Sequence, residues 1–170
     1  EIHQKKTDTY NKTGVGQTNI SINETGTVFA LDYYTNQNVR NLEYNDTFDA
    51  SWVPHAKVFE YINGSWIQKG SNLATATNMA YGAYATTHIS VNKTGNAVIA
   101  YASQAKKGTV YTWDTNTSDW IQKGSQISIN AMTSLLLNDD ASSFVYTGYN
   151  ASNQTGAYVY IWDINTSDWI

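Results

Sequence analysis

Asp114 with Asp119, and Asp163 with Asp168, place two carboxylates at the ends of a short polar stretch. Paired carboxyls are the equipment of glycoside hydrolysis, in which one gives a proton and the other acts as nucleophile or base. Both pairs, however, fall at the same position of an internal repeat, and the first copy has Glu60 and Ser65 there. Hydrolysis needs one differentiated pair, so recurrence favours a turn role, and Asp139 with Asp140 reads the same way after a buried strand. His3, His55 and His88 stand apart in the chain and have no metal-ligand spacing. A glycine-rich phosphate loop, H-E-x-x-H, an EF-hand loop and G-x-S-x-G do not occur. Without cysteine there are no disulfides, thiolate metal sites or cysteine nucleophiles. The residues predict neither catalysis nor a cofactor nor a bound metal.

Covalent modification is better supplied. N-x-S/T triplets, the acceptors of N-linked glycan, occur at Asn11, Asn19, Asn23, Asn45, Asn63, Asn92, Asn116, Asn150, Asn153 and Asn165. Asparagine and hydroxyl residues also populate hairpin turns for conformational reasons, because Asn tolerates left-handed backbone and hydroxyls cap nearby amides. Placement favours glycan. Asn23 and Asn92 are expected in the turn between the first two strands of a unit, and Asn63, Asn116 and Asn165 between the last two. Those turns emerge on one side of an up-and-down sheet, with Asn45, Asn150 and Asn153 on the other. Occupancy is expected to be highest in exposed turns at Asn63, Asn92, Asn116 and Asn165, and N-glycans are the only non-protein groups expected.

The tryptophans divide into repeated and unrepeated. Trp66, Trp120 and Trp169, with Trp113, Trp162 and the equivalent Tyr61, have the rings to stack on sugars. Repetition at fixed strand positions favours packing between units instead, where a large aromatic buries roughly 150 to 250 Å². Trp52, beside Pro54 and His55 in a long insertion of the first unit, is unrepeated and is the candidate ligand contact.

These residues need a scaffold, and composition restricts it. The chain has 170 residues, 41% hydrophobic and 14% aromatic, enough for a folded core. Thirteen Tyr and six Trp favour strands over helices. A net charge of −4 with 14% charged residues offers no basic surface for nucleic acid. No apolar run approaches the roughly 18 residues of a membrane span, and secretion would require a signal removed from, or lying upstream of, this sequence.

The scaffold is visible as repetition. WIQKGSNL at 66–73 recurs as WIQKGSQI at 120–127, and Trp169 and Ile170 begin a third copy. KVFEYINGSW, TVYTWDTNTSDW and YVYIWDINTSDW precede these copies, aligning Val58, Val110 and Val159. Further upstream ISINETGTVFAL, ISVNKTGNAVIA and LLLNDDASSFVY each read as strand, turn, strand. The units run 1–73, 74–127 and 128–170, the last incomplete. The middle one predicts strands near 88–91, 97–102, 109–114 and 119–124. Four antiparallel strands in about 40 to 50 residues make a propeller blade. The expectation is all-β and β-propeller-like, with about three to four four-stranded antiparallel blades in a ring completed by another chain or flanking sequence. Glu1 to Lys5 weakly imitate the WIQKG segment.

The stretch ISVNKTGNAVIAYASQAKKGTVYTWD resembles WD-repeat blades, and its continuation to WIQKGSQI is similar to the FG-GAP, integrin-alpha-like repeats of extracellular proteins. The Asp-rich calcium loop of integrin blades and the Gly-His pair of WD repeats do not accompany it, so neither calcium nor a particular partner follows. The expected role is a structural, heavily N-glycosylated extracellular protein, secreted or at the cell surface, forming part of a coat, sheath or filament by self-association. An adhesion or carbohydrate-binding propeller is the alternative, and a secreted enzyme domain stands behind both.

Overall fold

A computed structural model describes residues 19–36, 52–74, 87–103 and 105–170. Among them every regular element is a strand: β1 (Ile20–Ile22), β2 (Val28–Asn36), β3 (Trp52–Ile62), β4 (Ser65–Gln68), β5 (Leu73–Ala74), β6 (Thr87–Val91), β7 (Ala97–Ala102), β8 (Lys107–Asp114), β9 (Asp119–Gln122), β10 (Ile127–Leu137), β11 (Ser143–Asn150), β12 (Thr155–Asp163) and β13 (Asp168–Trp169). One sheet runs β1-β2-β3-β4 with β5 beside β3, and the other runs β13-β12-β11-β10-β8-β7-β6 with β9 beside β8. The larger sheet joins two four-stranded antiparallel blades through only two register pairs, Ile127 with Gly108 and Ser128 with Lys107. The blades are therefore β1 to β4, β6 to β9 and β10 to β13. The fold is all-β and propeller-like, and the two sheets do not close on each other.

The expected strands of the middle blade are present, with two shifts. β8 starts earlier, at Lys107, and β9 ends at Gln122, after which the Lys123 N–H still donates to the Val110 carbonyl while the Lys123 carbonyl and the Ser125 N–H engage the next blade. β10 begins beside β8 and ends as the innermost strand of the third blade. Register shifts between Ile129 and Ala131, and between Met132 and Ser134, bend it into that path, as bulges do. Leu73 and Ala74 of β5 pair with Ala56 and His55 in the same manner, so each connector starts along the blade it leaves.

The core lies between blades. Val28, Ala30 and Val58 of the first blade pack with Ile89, Val91 and Val98 of the second. Ile99, Tyr101 and Val110 of the second pack with Leu135, Phe144 and Tyr146 of the third. β7, AVIAYA, is buried along its whole length because alternate residues serve two interfaces, which explains a continuous apolar run where a half-buried strand would alternate. Each blade thus has a back face toward its predecessor and a front face toward its successor. Burial pushes the Tyr146 phenol up to about 12, with its ring stacked on Tyr158 at 5.0 Å.

Candidate functional site

The inner turns are built around an asparagine. Asn92 Oδ1 accepts hydrogen bonds from the backbone N–H of Asn96 (3.0 Å) and Ala97 (2.9 Å). Its Nδ2 donates to Thr94 Oγ1, Asn96 Oδ1 and the carbonyl of Asp139 in the next blade. The residue is 1% exposed. Asn23 repeats the arrangement, accepting from Thr27 and Val28 and donating to Thr25. Asn138 accepts from Ser143 and donates to Asp140 and Ser142. Backbone bonds from Gly26, Gly95 and Ala141 back to the asparagine carbonyl close all three turns. The expectation that Asn92 lies in an exposed turn is therefore corrected, and Asn23, which does lie in the turn between the first two strands as expected, is enclosed in the same way. Both are buried, because their amides replace backbone partners that the turn would otherwise lack.

The outer turns differ. Asp114 accepts from the N–H of Asn116 (3.0 Å) and from Thr117 Oγ1 (2.9 Å), and Asp163 does the same with Asn165 and Thr166. These bonds hold both carboxyls below the usual carboxylate range, the backbone donors contributing most. Asn63, Asn116 and Asn165 themselves are exposed. At the far end of the third blade Asn153 is exposed and Asn150 half-buried, and Asn19 is half-buried ahead of β1. Asn11 and Asn45 lie outside the described residues.

A clasp between successive blades emerges from the repeated hexapeptide. The Lys69 N–H donates to the Val58 carbonyl of its own blade (2.8 Å), while the Lys69 carbonyl accepts from the Trp120 indole of the next (2.6 Å). Asp119, adjacent to Trp120, accepts from the N–H and the hydroxyl of Ser71, both at 2.7 Å. The Lys69 ammonium lies 5.0 Å from the Trp113 ring centroid and donates to the Gly95 carbonyl. One blade later Lys123, Ser125, Asp168, Trp169 and Trp162 make the same set, with Lys123 donating to the Ala141 carbonyl at 2.7 Å. Gly70 and Gly124 have φ of 71° and 72°. A Cβ on either would lie 2.8 to 2.9 Å from tryptophan ring carbons, so nothing larger fits the clasp.

This geometry assigns the paired aspartates. Asp114 and Asp119 face each other across the β8–β9 hairpin, but one closes its turn and the other grips the preceding blade. Hydrogen bonds from Ser71 lower the Asp119 carboxyl, and those from Ser125 lower Asp168. A general acid at neutral pH needs its carboxyl raised, and these are all shifted the other way. The recurrence of the aspartates marked two structural duties, where a turn role alone was expected. Trp120 and Trp169 are buried, at 9% and 8% exposure, against the preceding blade. Sequence reasoning missed Lys69, Gly70 and Ser71 as the receiving half. Identity of polar residues within the repeated hexapeptide was the available signal.

Of the remaining candidates, Trp52 opens β3 opposite Asn36 by its backbone, and its side chain lies outside the described set, as do that of His55 and the whole of His3. His88 is half-buried on β6, and burial lowers its pKa. The described residues contain no group of His, Asp or Glu fit to hold a metal ion, and no helix long and apolar enough to cross a membrane. Glu24, Lys93 and Asp139, each the residue after an inner-turn asparagine, alternate in charge across the three blades. Lys93 stands 3.1 Å from Glu24 and 3.8 Å from Asp139.

No protein-family model and no curated protein matches the chain. Solved structures do. The chain is similar to Saccharomyces cerevisiae Sqt1, with a TM-score of 0.53 and 11% identity over 89% of this chain and 33% of that one. KlAtg21, solved in complex with the coiled-coil of AgAtg16, is similar over 89% of this chain and 41% of that one, with a TM-score of 0.54 and 11% identity. A "putative 6-phosphogluconolactonase" from Bacteroides fragilis gives a TM-score of 0.53 and 12% identity over 89% and 36% of the two chains. These neighbours have propeller-type folds. The chain spans 33% to 41% of their lengths, and at such identity the likeness is one of fold.

Proposed function

We propose that the chain is a structural, N-glycosylated extracellular protein, a segment of a surface coat, sheath or filament that acts by packing blade on blade and not by catalysis. One observation carries this reading. The blade-to-blade interface, with its apolar core and its Lys-Gly-Ser to Asp-Trp clasp, is made twice within the chain. Exposed sequons at Asn63, Asn116 and Asn165, all in the outer hairpin turn, support an extracellular setting with a glycan-bearing rim. The aspartates that resemble a catalytic pair are committed to turns and clasps, which supports a role without catalysis.

Glycopeptide analysis of natively sourced protein tests the reading, with electron microscopy of the same material. Glycan at the outer turns together with filaments or sheets is the expected result. A mass near the bare 18.9 kDa would overturn the extracellular assignment. Binding is the second reading. The FG-GAP-like pattern supports an adhesion or carbohydrate-binding propeller with Trp52 as its contact, and one structural neighbour holds a coiled-coil partner. Saturable binding on a glycan array that Trp52→Ala abolishes would replace the first reading with this one.

A further inference from the structure

We propose that Asn63 is a site of spontaneous deamidation, its side-chain amide converted through a cyclic imide to aspartate and isoaspartate by attack of the Gly64 backbone nitrogen. Asn63-Gly64 is the only Asn-Gly pair in the chain. It forms the whole of the β3–β4 connection, since Ile62 pairs with Ser65, and both residues have positive φ, 50° and 86°. A two-residue hairpin adopts that geometry to follow the twist of its strands. The Asn63 side chain and the Gly64 N–H have no hydrogen-bond partner among the described residues, and both residues are exposed. Space around Gly64 is open: a Cβ built there would meet no atom within 4 Å. Nucleophile and electrophile are therefore adjacent, unengaged and unshielded.

The reaction needs no partner but water. The Gly64 nitrogen bonds to the Asn63 Cγ, the Cγ–Nδ2 bond breaks, and ammonia leaves with the proton given up by the Gly64 nitrogen. Water then opens the ring. Addition at the side-chain carbonyl gives aspartate, and addition at the main-chain carbonyl gives isoaspartate, whose backbone is one methylene longer. Ring closure requires the Gly64 nitrogen to swing toward Cγ, so the hairpin must open briefly. β4 permits this, being an edge strand of 4 residues with Ser65, Ile67 and Gln68 exposed along it, and such edges open at low free energy.

The other outer turns supply the contrast. Asn116 and Asn165 are also exposed, but Thr117 and Thr166 follow them, and branching at Cβ crowds the attacking nitrogen. Asp114 and Asp163 further hold those turns through the Asn116 and Asn165 N–H groups, and Asp163 takes the Asn165 Nδ2 as well. Among the described residues no carboxylate accepts from the Asn63 turn. A glycan on the Asn63 Nδ2 would occupy the nitrogen that must leave, and conversion of Asn63 destroys its sequon, so the two modifications compete for one residue.

The 170-residue chain made without glycan, in a bacterial cytoplasm, keeps the test independent of the glycoprotein reading. After incubation of the folded chain in mildly alkaline buffer, trypsin releases residues 58–69 as one peptide. Its mass should gain the difference between an amide and an acid, with aspartate and isoaspartate forms resolved by chromatography. Conversion at Asn63 should run about tenfold or more faster than at Asn116 or Asn165. Gly64→Ala should slow it by about tenfold, and Asn63→Gln should leave the peptide unchanged. Because Gly64→Ala strains the turn, the comparison among the three native asparagines decides independently of that variant. Conversion in urea but not in the folded chain overturns the proposal, as does equal conversion at all three sites. A product containing aspartate without isoaspartate overturns the cyclic-imide route. Unoccupied sequons in natively sourced protein would defeat the glycoprotein reading and leave this site standing; an intact amide in the folded chain would do the reverse.

Discussion

Asn92 and Asn116 sit in the same triplet pattern, one hairpin apart in the same blade, and do opposite things. Asn92 is enclosed by its turn, with both halves of its amide engaged, whereas Asn116 is exposed and contributes its backbone N–H to Asp114. The inner turn is held by the buried asparagine and the outer turn by the aspartate, to which the exposed outer asparagine adds a side-chain donor, Asn165 Nδ2 to Asp163 Oδ1 at 3.1 Å. A sequon thus reads as a modification site only after the turn's own bonding has been accounted for.

Four substitutions sharpen that comparison. The largest effect is expected just beyond the outer turn, where freedom ends. Trp120→Ala removes a buried indole and its bond to Lys69, and should cost about 3 to 5 kcal/mol; a denaturant melt near wild type would mean that the outer region is loose throughout. Asn92→Ala should come next, at roughly 2 to 4 kcal/mol, since it leaves buried turn amides unsatisfied. If it melts like the wild type, the contrast between the two turns fails.

Asp119→Asn acts on the clasp and carries a pH signature. The Asp119 carboxyl is lower in the folded chain than unfolded, owing to Ser71. Its contribution is therefore complete above the unfolded value, roughly 4, and is lost as pH falls through the folded value. The variant should have a lower Tm at pH 7 and a shallower loss of Tm on acidification below about pH 4. An unchanged acid limb would remove Asp119 from the clasp. The smallest effect is expected for Asn116→Gln, within about 0.5 kcal/mol of wild type, while natively produced protein loses the mass of one glycan. Destabilisation by a full melting step would show that the outer asparagine is structural after all.

Repetition in the sequence was sufficient for the blades, since strand, turn and strand recur with the residues that turns and pleated strands require. Packing of Trp120 and Trp169 was legible from their fixed positions. Burial of Asn23 and Asn92 was harder to read, because N-x-T satisfies a glycosyl acceptor and an asparagine turn equally. The third copy held the clue: Asn138 keeps the asparagine and the turn bonds but is followed by Asp139 and Asp140, with no hydroxyl to make a sequon. The clasp was illegible for another reason. Asp119 and Ser71 are separated by 48 positions, and only the stacking of blades brings them together.

The clasp also fixes how this architecture can be cut. Its receiving half, Lys-Gly-Ser, belongs to the blade before, and its Asp-Trp half to the blade after. A chain divided at the blade boundary, between Ser125 and β10, parts Lys123 and Ser125 from Trp169 and Asp168 and leaves a raw half-joint on each piece. The portable module is instead the joint with its two flanking half-blades, so the period in which such a protein can be lengthened, shortened or grafted is offset from the period in which it is built.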